Sequence, residues 1–199
     1  MVGYGSSFVS GSVARPINVL KIGGGLVSIA GALDRVCQEV GAAAARHSMI
    51  VVPGGGPFAD AVRAFDRAFQ LSPPTAHYMA LLAMDQYGHV LVDRIPGSIL
   101  VDEPGALLDC LNTGSVAVLA PSRWLRSADV LPCSWEVTSD SIAAFVAGAV
   151  DAARLILVKP AANLDEPVDS YFASALPYGM PWSLVACDRM EELAEMLSG

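Results

Sequence analysis

Two glycine-rich turns constrain the fold of this chain more than any other feature of its sequence. Gly23-Gly24-Gly25 follows the apolar segment Ile17–Ile22, and Gly54-Gly55-Gly56 follows the apolar segment 48–52. A strand that enters a helix through several glycines leaves backbone N–H groups available near the positive end of the helix dipole, which suits a bound phosphate. For either turn alone, glycines that only supply positive φ are the alternative explanation.

The order of the predicted elements favours an α/β fold. We predict strands at 17–22, 48–52, 116–120, 154–158 and 183–186, and helices at 26–47, 75–87, 102–111, 142–150 and 189–197, with a further helix beginning at Pro57. Segments 89–93 and 98–101 are predicted to be short strands or extended loops, 121–126 a loop, and 161–181 an irregular tail. In a parallel sheet with right-handed crossovers, the carboxyl ends of the strands share one edge. Both glycine turns should therefore face one cleft.

Composition narrows the class of protein. Hydrophobic residues make up 53% of the chain and charged residues only 16%, which predicts a sheet buried on both faces and a homo-oligomer. The length of 199 residues predicts one domain at 16–199, after a flexible extension at 1–15. The net charge of −8 argues against a nucleic-acid partner, because no basic stripe exists to neutralise its phosphates. No segment is predicted to span a membrane, because Asp151 and Arg154 interrupt the most apolar one. Four cysteines without a CxxC pair indicate reduced thiols in the cytoplasm.

Three charged residues are predicted to reach the same edge of the sheet as the glycine turns. Lys21 ends the first predicted strand, Lys159 ends the fourth before Pro160, and Asp140 lies where a small-residue helix begins. Asp140 is either a plain N-cap, worth about 1 kcal/mol, or a carboxylate that holds the lysines or magnesium in register. Phosphoryl transfer needs mainly positioning and cancellation of negative charge. Two lysines and two glycine turns therefore indicate a kinase.

Three further residues are weaker candidates for contact with a substrate. His77 lies in the first turn of a predicted helix, where a histidine either packs or contacts a ligand. Arg123 and Arg126 flank Trp124 in the predicted loop, where they are either solvated or positioned to clamp a phosphate.

Four motifs in this chain resemble those of the amino acid kinase superfamily, which includes carbamate, acetylglutamate, aspartate and uridylate kinases. They are Val19–Gly25, Val51–Gly56, Ser139–Ser141 before a small-residue helix, and Leu155–Lys159. The resemblance implies a three-layer α/β/α sandwich with a mainly parallel central sheet.

The resemblance also implies ATP, Mg²⁺ and a small-molecule acceptor. In this interpretation Lys21 touches the transferred phosphoryl group, Asp140 organises Lys21 and Lys159, and the second glycine turn faces the acceptor. The predicted nucleotide contacts are Lys21, Gly23, Gly24, Ser139, Lys159, Pro160, Asp165 and Tyr171. The predicted acceptor contacts are Gly25, Gly54, Gly55, Gly56, His77, Arg123 and Arg126, and no metal-ligating residue is assigned. At Gly25 many relatives carry serine, so this turn lacks a hydroxyl group.

Two segments, 77–88 and 168–172, resemble a small branch of the superfamily that is related to methanofuran biosynthesis. The activity of that branch is ATP-dependent phosphorylation of the phosphate on an aminomethylfuran, which yields a diphosphate. Two alternatives stay open from the sequence. One is a kinase for a carboxylate or carbamate acceptor, and the other is a non-catalytic nucleotide-binding or ligand-binding protein that retains the fold.

Overall fold

A computed structural model of the protein describes residues 13–163 and 168–198. Most of the predicted N-terminal extension, and the predicted nucleotide contact Asp165, lie outside the described residues. The strands are β1 (Ile17–Ile22), β2 (Ser48–Pro53), β3 (Ser98–Val101), β4 (Val116–Leu119), β5 (Arg154–Lys159) and β6 (Trp182–Ala186). The helices are α1 (Ala32–Ala44), α2 (Gly56–Phe69), α3 (Pro73–Arg94), α4 (Pro104–Asn112), α5 (Ser122–Ala128), α6 (Ser139–Ala149), α7 (Phe172–Ala175) and α8 (Glu192–Ser198).

The six described strands form one sheet in the order β3-β4-β2-β1-β5-β6, and every neighbouring pair is parallel. Strand β1 is central, with β2 on one side and β5 on the other. In register, Lys21 pairs with Val52 of β2 and Leu157 of β5. The chain changes direction across the sheet next to β1, and ligands of open α/β sheets bind at such a point, beyond the carboxyl ends of the strands.

Two hydrophobic cores cover the two faces of the sheet, because alternate residues of a strand point to opposite faces. Val19 and Leu155 belong to the core that contains α4, α5 and α6. Leu20 and Ile156 belong to the core that contains α1 and α8. Each such side chain is fully buried and contributes about 1.5–3 kcal/mol. The predicted three-layer α/β/α fold is thus confirmed.

The predicted helix at 26–47 is wrong at its beginning. Residues Gly24–Ser28 form a short 3₁₀ turn, and α1 begins only at Ala32. Gly31 separates them with a φ of 70°, a left-handed conformation that glycine adopts without strain and that no α-helix contains. The first glycine turn is therefore followed by one tight turn rather than by a long helix.

Helix α3 is longer than the sequence predicted. The predicted helix begins at Thr75, which would make Thr75 its cap, but α3 begins after Ser72, whose hydroxyl accepts a hydrogen bond from Thr75 N. It also runs through 89–93, which was predicted to be extended. Tyr87 and Leu91 lie one turn apart and are both buried, so packing of this helical face outweighs the β-propensity of Val90 and Val92.

Three smaller predictions also need correction. Segment 121–126 is not a loop, because 122–128 form α5. The irregular tail contains the short helix α7, whose Phe172 is buried. The spacing of Phe58, Val62, Phe65 and Phe69 predicts one apolar face along α2, but Phe65 and Phe69 stack on each other at the surface and are 54% and 68% exposed, so that face does not continue to the end of the helix.

Candidate active site

A buried triad of two lysines and one aspartate lies at the carboxyl edge of the sheet. Lys21 Nζ is 2.8 Å from Asp140 Oδ1, and Lys159 Nζ is 2.6 Å from Asp140 Oδ2. The lysines come from the neighbouring strands β1 and β5, and the aspartate comes from α6 on one face of the sheet. All three side chains are at least nine-tenths buried. The structure thus brings together the three residues predicted to be catalytic.

Asp140 is not the N-cap of α6, so the simpler explanation of this residue is wrong. Thr138 is the N-cap, and its hydroxyl accepts a long hydrogen bond of 3.5 Å from Asp140 N. Asp140 lies in the first turn, where its carboxylate reaches both lysines. Burial alone would raise the pKa of this carboxyl, but Lys21 and Lys159 outweigh it and hold the pKa below its usual value.

The triad holds two lysine ammonium groups and one carboxylate in a buried site. Burial lowers the pKa of Lys21 from its usual value, against the opposing attraction of Asp140. Lys159 also lowers it through charge repulsion, whereas Asp169 raises it. A bound anion would interact favourably with both ammonium groups, which is the electrostatic condition for holding a phosphate group.

The two glycine turns contact each other through their backbones. A Cβ atom on Gly24 would lie 2.2 Å from Gly56 N, and one on Gly54 would lie 2.5 Å from Gly24 N. Only glycine allows this approach, which places both turns beside the triad. Gly23 N donates to Val158 O and Gly54 N donates to Ile22 O, so the turns are also fixed to the ends of the strands.

A cleft with a volume of about 340 Å³ opens over these turns. Seven of the predicted site residues line it: Lys21, Gly24, Gly25, Gly55, Gly56, His77 and Ser139. Gly23 and Gly54 are buried beneath it, and Asp140 and Lys159 are buried beside it. Burial also lowers the pKa of His77, which favours a neutral imidazole at the cleft wall.

The sequence analysis missed Arg63 and Trp135, which also line the cleft. The Arg63 guanidinium lies 4.7 Å from the centroid of the Trp135 ring, and the Trp135 indole donates to Asp66 Oδ2 at 2.7 Å. Asp60 and Arg63 follow Gly56 at intervals of four and three residues, so helical spacing could have identified this face of α2. No comparable signal exists for Trp135, because the segment before α6 has no periodicity.

Four further predicted site residues also do not line the cleft. Arg123 forms ion pairs with Asp102 and Glu103 at a separate surface depression. Arg126 lies over the ring of Tyr78, at 5.3 Å from its centroid. Tyr171 packs against the hydrophobic core that contains α6, and Pro160 is buried beside Gly25. Their predicted contacts with ligands stay predictions.

Neither a metal-binding cluster of side chains nor a membrane-spanning helix is found among the described residues. At 13–163 and 168–198, no group of three or more histidine, cysteine, aspartate or glutamate side chains is arranged to hold a metal ion. Within the same residues, no helix is both long enough and apolar enough to cross a membrane.

Sequence comparison finds one family and one characterised relative. The model of the amino acid kinase family matches residues 16–164. The [5-(aminomethyl)furan-3-yl]methyl phosphate kinase of Methanocaldococcus jannaschii is 30% identical over 141 residues, which cover 71% of this chain and 64% of that protein. The chain therefore spans less than two thirds of the length of this relative.

Comparison with solved structures finds the same fold in kinases of low sequence identity. Aspartate kinase from Synechocystis superposes with a TM-score of 0.66 at 14% identity, over 86% of this chain and 38% of that one. UMP kinase from Bacillus anthracis superposes with a TM-score of 0.64 at 12% identity, over 92% and 93% of the two chains. At such identities the likeness establishes the fold alone.

Proposed function

We propose that this chain, which belongs to the amino acid kinase family, is an ATP-dependent phosphotransferase that phosphorylates a phosphomonoester. The observation that carries the proposal is the buried triad, in which Asp140 holds Lys21 and Lys159 beside two touching glycine turns. The proposed acceptor is [5-(aminomethyl)furan-3-yl]methyl phosphate, converted to its diphosphate in methanofuran biosynthesis. The relative from Methanocaldococcus jannaschii, which is named for this acceptor, supports that choice.

The reaction exchanges one P–O bond for another. An oxygen of the acceptor phosphate attacks the γ-phosphorus of ATP, and the bond between that phosphorus and the β–γ bridging oxygen breaks, so that ADP leaves. Negative charge spreads over the transferred oxygens in the transition state. Lys21 lines the cleft and supplies a positive charge to those oxygens, while Lys159 supplies one from the adjacent strand.

The glycine turns and the lysines fit a bound triphosphate. The two turns touch through their backbones, and Gly56 begins a helix of 14 residues, whose first N–H groups and dipole favour an anion. When bound, Mg²⁺ would supply further neutralisation of the negative charge on the nucleotide. The phosphates would provide most of its ligands, because both carboxylate oxygens of Asp140 contact lysines.

Arg63 supports an acceptor that carries a phosphate. Among the described residues that line the cleft, Lys21 and Arg63 are the lysine and arginine side chains. Arg63 contacts Asp60 only at 3.5 Å, and its side chain is 40% exposed, so this ion pair contributes little stability. A guanidinium at the cleft wall can bind a phosphate with two parallel hydrogen bonds. The flat Trp135 ring beside it suits a planar ring such as furan.

The decisive experiment is a turnover assay with ATP, Mg²⁺ and a panel of phosphomonoesters, carboxylates and carbamate. We expect ADP in equal amount to a new diphosphate, identified by its ³¹P resonances, with the aminomethylfuran phosphate as the preferred acceptor. An acyl phosphate or carbamoyl phosphate as the only product would replace this acceptor class with another. Tight ATP binding without transfer, unaffected by Lys21→Ala, would instead indicate a ligand-binding protein.

The role of Arg63 has its own test. Arg63→Met should raise KM for the phosphomonoester about 10- to 100-fold with little change in kcat, because a charge-assisted hydrogen bond contributes about 1.5–3 kcal/mol. Arg67→Met is the matched control, since Arg67 is an exposed arginine on the same helix and does not line the cleft. An unchanged KM in Arg63→Met would remove the guanidinium from the acceptor site.

The predicted homo-oligomer and cytoplasmic location stay predictions.

A further inference from the structure

The Asp169 carboxylate lies at the N-terminus of α6, although Asp169 follows Ser141 of that helix by 28 residues in the sequence. Its carboxylate accepts hydrogen bonds from Thr138 N at 2.9 Å, Thr138 Oγ1 at 2.6 Å and Ser141 N at 3.1 Å, and a short one from Ser141 Oγ. These donors belong to the first turn of α6. A carboxylate there also interacts favourably with the positive end of the helix dipole.

The same turn carries Asp140, the residue that bridges the two lysines. The Thr138 hydroxyl donates to Asp169 and accepts from Asp140 N, so one hydroxyl links the two carboxylate residues. Ser141, the next residue, is fully buried and fixed by two hydrogen bonds to Asp169. Asp169 thus binds Thr138 and Ser141, which lie two residues before and one residue after Asp140.

We infer that Asp169 is a positioning residue, which holds the first turn of α6 so that the Asp140 carboxylate stays between Lys21 and Lys159. This inference rests on the proposed phosphotransferase function. It assigns a role to a residue outside all four sequence motifs.

Packing limits how far the first turn of α6 could move on its own. Phe145 and Ala147 of α6 are fully buried in the core, and α7 packs against the same helix through Phe172. The body of α6 is therefore held without Asp169, whereas its first turn depends on the carboxylate. Loss of Asp169 should loosen that turn by a fraction of an ångström rather than unfold the helix. Displacements of about 1 Å at a reacting centre can lower turnover about 100-fold.

Two variants separate the charge of Asp169 from its hydrogen bonds. Asp169→Asn keeps a carbonyl oxygen for Thr138 and the Ser141 N–H, and the Ser141 hydroxyl can rotate to accept from the amide. Asp169→Ala removes every bond. We expect kcat to fall about 10- to 100-fold in Asp169→Ala and less than 10-fold in Asp169→Asn, with KM for the acceptor little changed in both.

Asn18→Ala is the matched control for loss of stability. Asn18 is buried at the amino end of β1, and its amide donates to Pro16 O and Ser48 O at the opposite edge of the sheet from the triad. It should lower the melting temperature without lowering kcat. Asp169→Ala with the kcat of Asn18→Ala and a similar melting temperature would overturn the inference, because Asp169 would then be a structural cap alone.

Crystal structures make the inference testable even if no acceptor is turned over. In wild type and Asp169→Asn, Asp140 should keep both lysine contacts, whereas in Asp169→Ala at least one of the two distances, 2.8 Å and 2.6 Å in wild type, should lengthen by a fraction of an ångström. An unchanged triad in Asp169→Ala would overturn the inference. Should Asp169→Ala not fold, Ser141→Ala replaces it and is expected to displace Asp140 in the same direction.

Discussion

Asp140→Asn should lower both turnover and stability, whereas Lys21→Met should lower turnover alone. In the wild type, two buried ammonium groups share one carboxylate. Asparagine is the same size but uncharged, so both ammonium groups lose their counter-ion. Methionine resembles lysine in length, and its introduction leaves Lys159 paired with Asp140. The two variants therefore change the charge of the triad in opposite directions.

The size of the stability loss follows from the buried contacts. At 2.8 Å and an effective dielectric constant of about 20, each lysine–carboxylate pair is worth about 6 kcal/mol before desolvation is counted. The net loss is smaller, because a lysine can release its proton at pH 7 for about 4.6 kcal/mol. We therefore expect Asp140→Asn to lower the free energy of unfolding by about 3–5 kcal/mol, the usual range for a broken buried ion pair.

Lys21→Met should behave differently because of the direction of its pKa shift. The pKa of Lys21 is lowered on folding, mainly by burial, so at pH 7 the unfolded chain holds this proton more tightly than the folded protein. Charged Lys21 thus destabilises the fold below its folded pKa, and this destabilisation disappears as pH rises toward 10.5. Methionine removes it, so the variant should be at least as stable as wild type at pH 7 and lack this rise in stability with pH.

Turnover should fall in both variants. Loss of one preorganised electrostatic contact to a transition state typically costs a factor of about 100–1,000 in kcat, and Asp140 orients two such contacts. The measurements are urea unfolding from pH 6 to 10 and steady-state kinetics of the same preparations. Equal stability losses in the two variants would refute the charge-balance reasoning. Full turnover in either variant would remove that residue from the reaction.

Two further predictions concern glycine packing and thiol burial. Gly24→Ala should lower the melting temperature by about 5–10 °C and abolish turnover, because its Cβ would lie 2.2 Å from Gly56 N. Gly25→Ala is the control and should keep the fold, because its Cβ would lie 3.2 Å from its nearest neighbour. Calorimetry measures the melting temperatures of the two variants. Burial raises the pKa of the Cys37 thiol to about 12, so the folded protein at pH 8 should not react there with a thiol reagent, while the partly exposed Cys133 should. Equal labelling of the two thiols would contradict this.

The central strands could be predicted because their sequence leaves few alternatives. Ile17–Ile22 and 154–159 are apolar runs that end at a lysine or next to a glycine turn, and both are buried on both faces. Parallel topology alone then places Lys21 and Lys159 at one edge of the sheet. Element boundaries were predicted wrongly where tertiary packing determines them. Residues 89–93 of α3 are an example, because the β-branched Val90 and Val92 lie in a helix.

The surroundings of the triad could not be predicted, because they depend on contacts between distant segments. Asp169 lies in a segment without periodicity, and only the folded chain brings it to Thr138. Trp135 is likewise fixed by Asp66, 69 residues earlier. Arg63 is different, since its helical spacing from the predicted site residue Gly56 could have placed it on the face of α2 that borders the cleft.

The charge of the whole chain and that of the triad have opposite signs, and this difference bears on ligand binding. The chain carries a net charge of −8, so its long-range field repels phosphates, and attraction must come from groups within a few ångströms. Lys21, Lys159 and the glycine N–H groups provide it, and the triad itself holds two ammonium groups and one carboxylate. A bound triphosphate interacts favourably with both ammonium groups, so ATP should stabilise the wild type. Lys21→Met, which has one ammonium group fewer, should gain less stability from the same concentration of ATP.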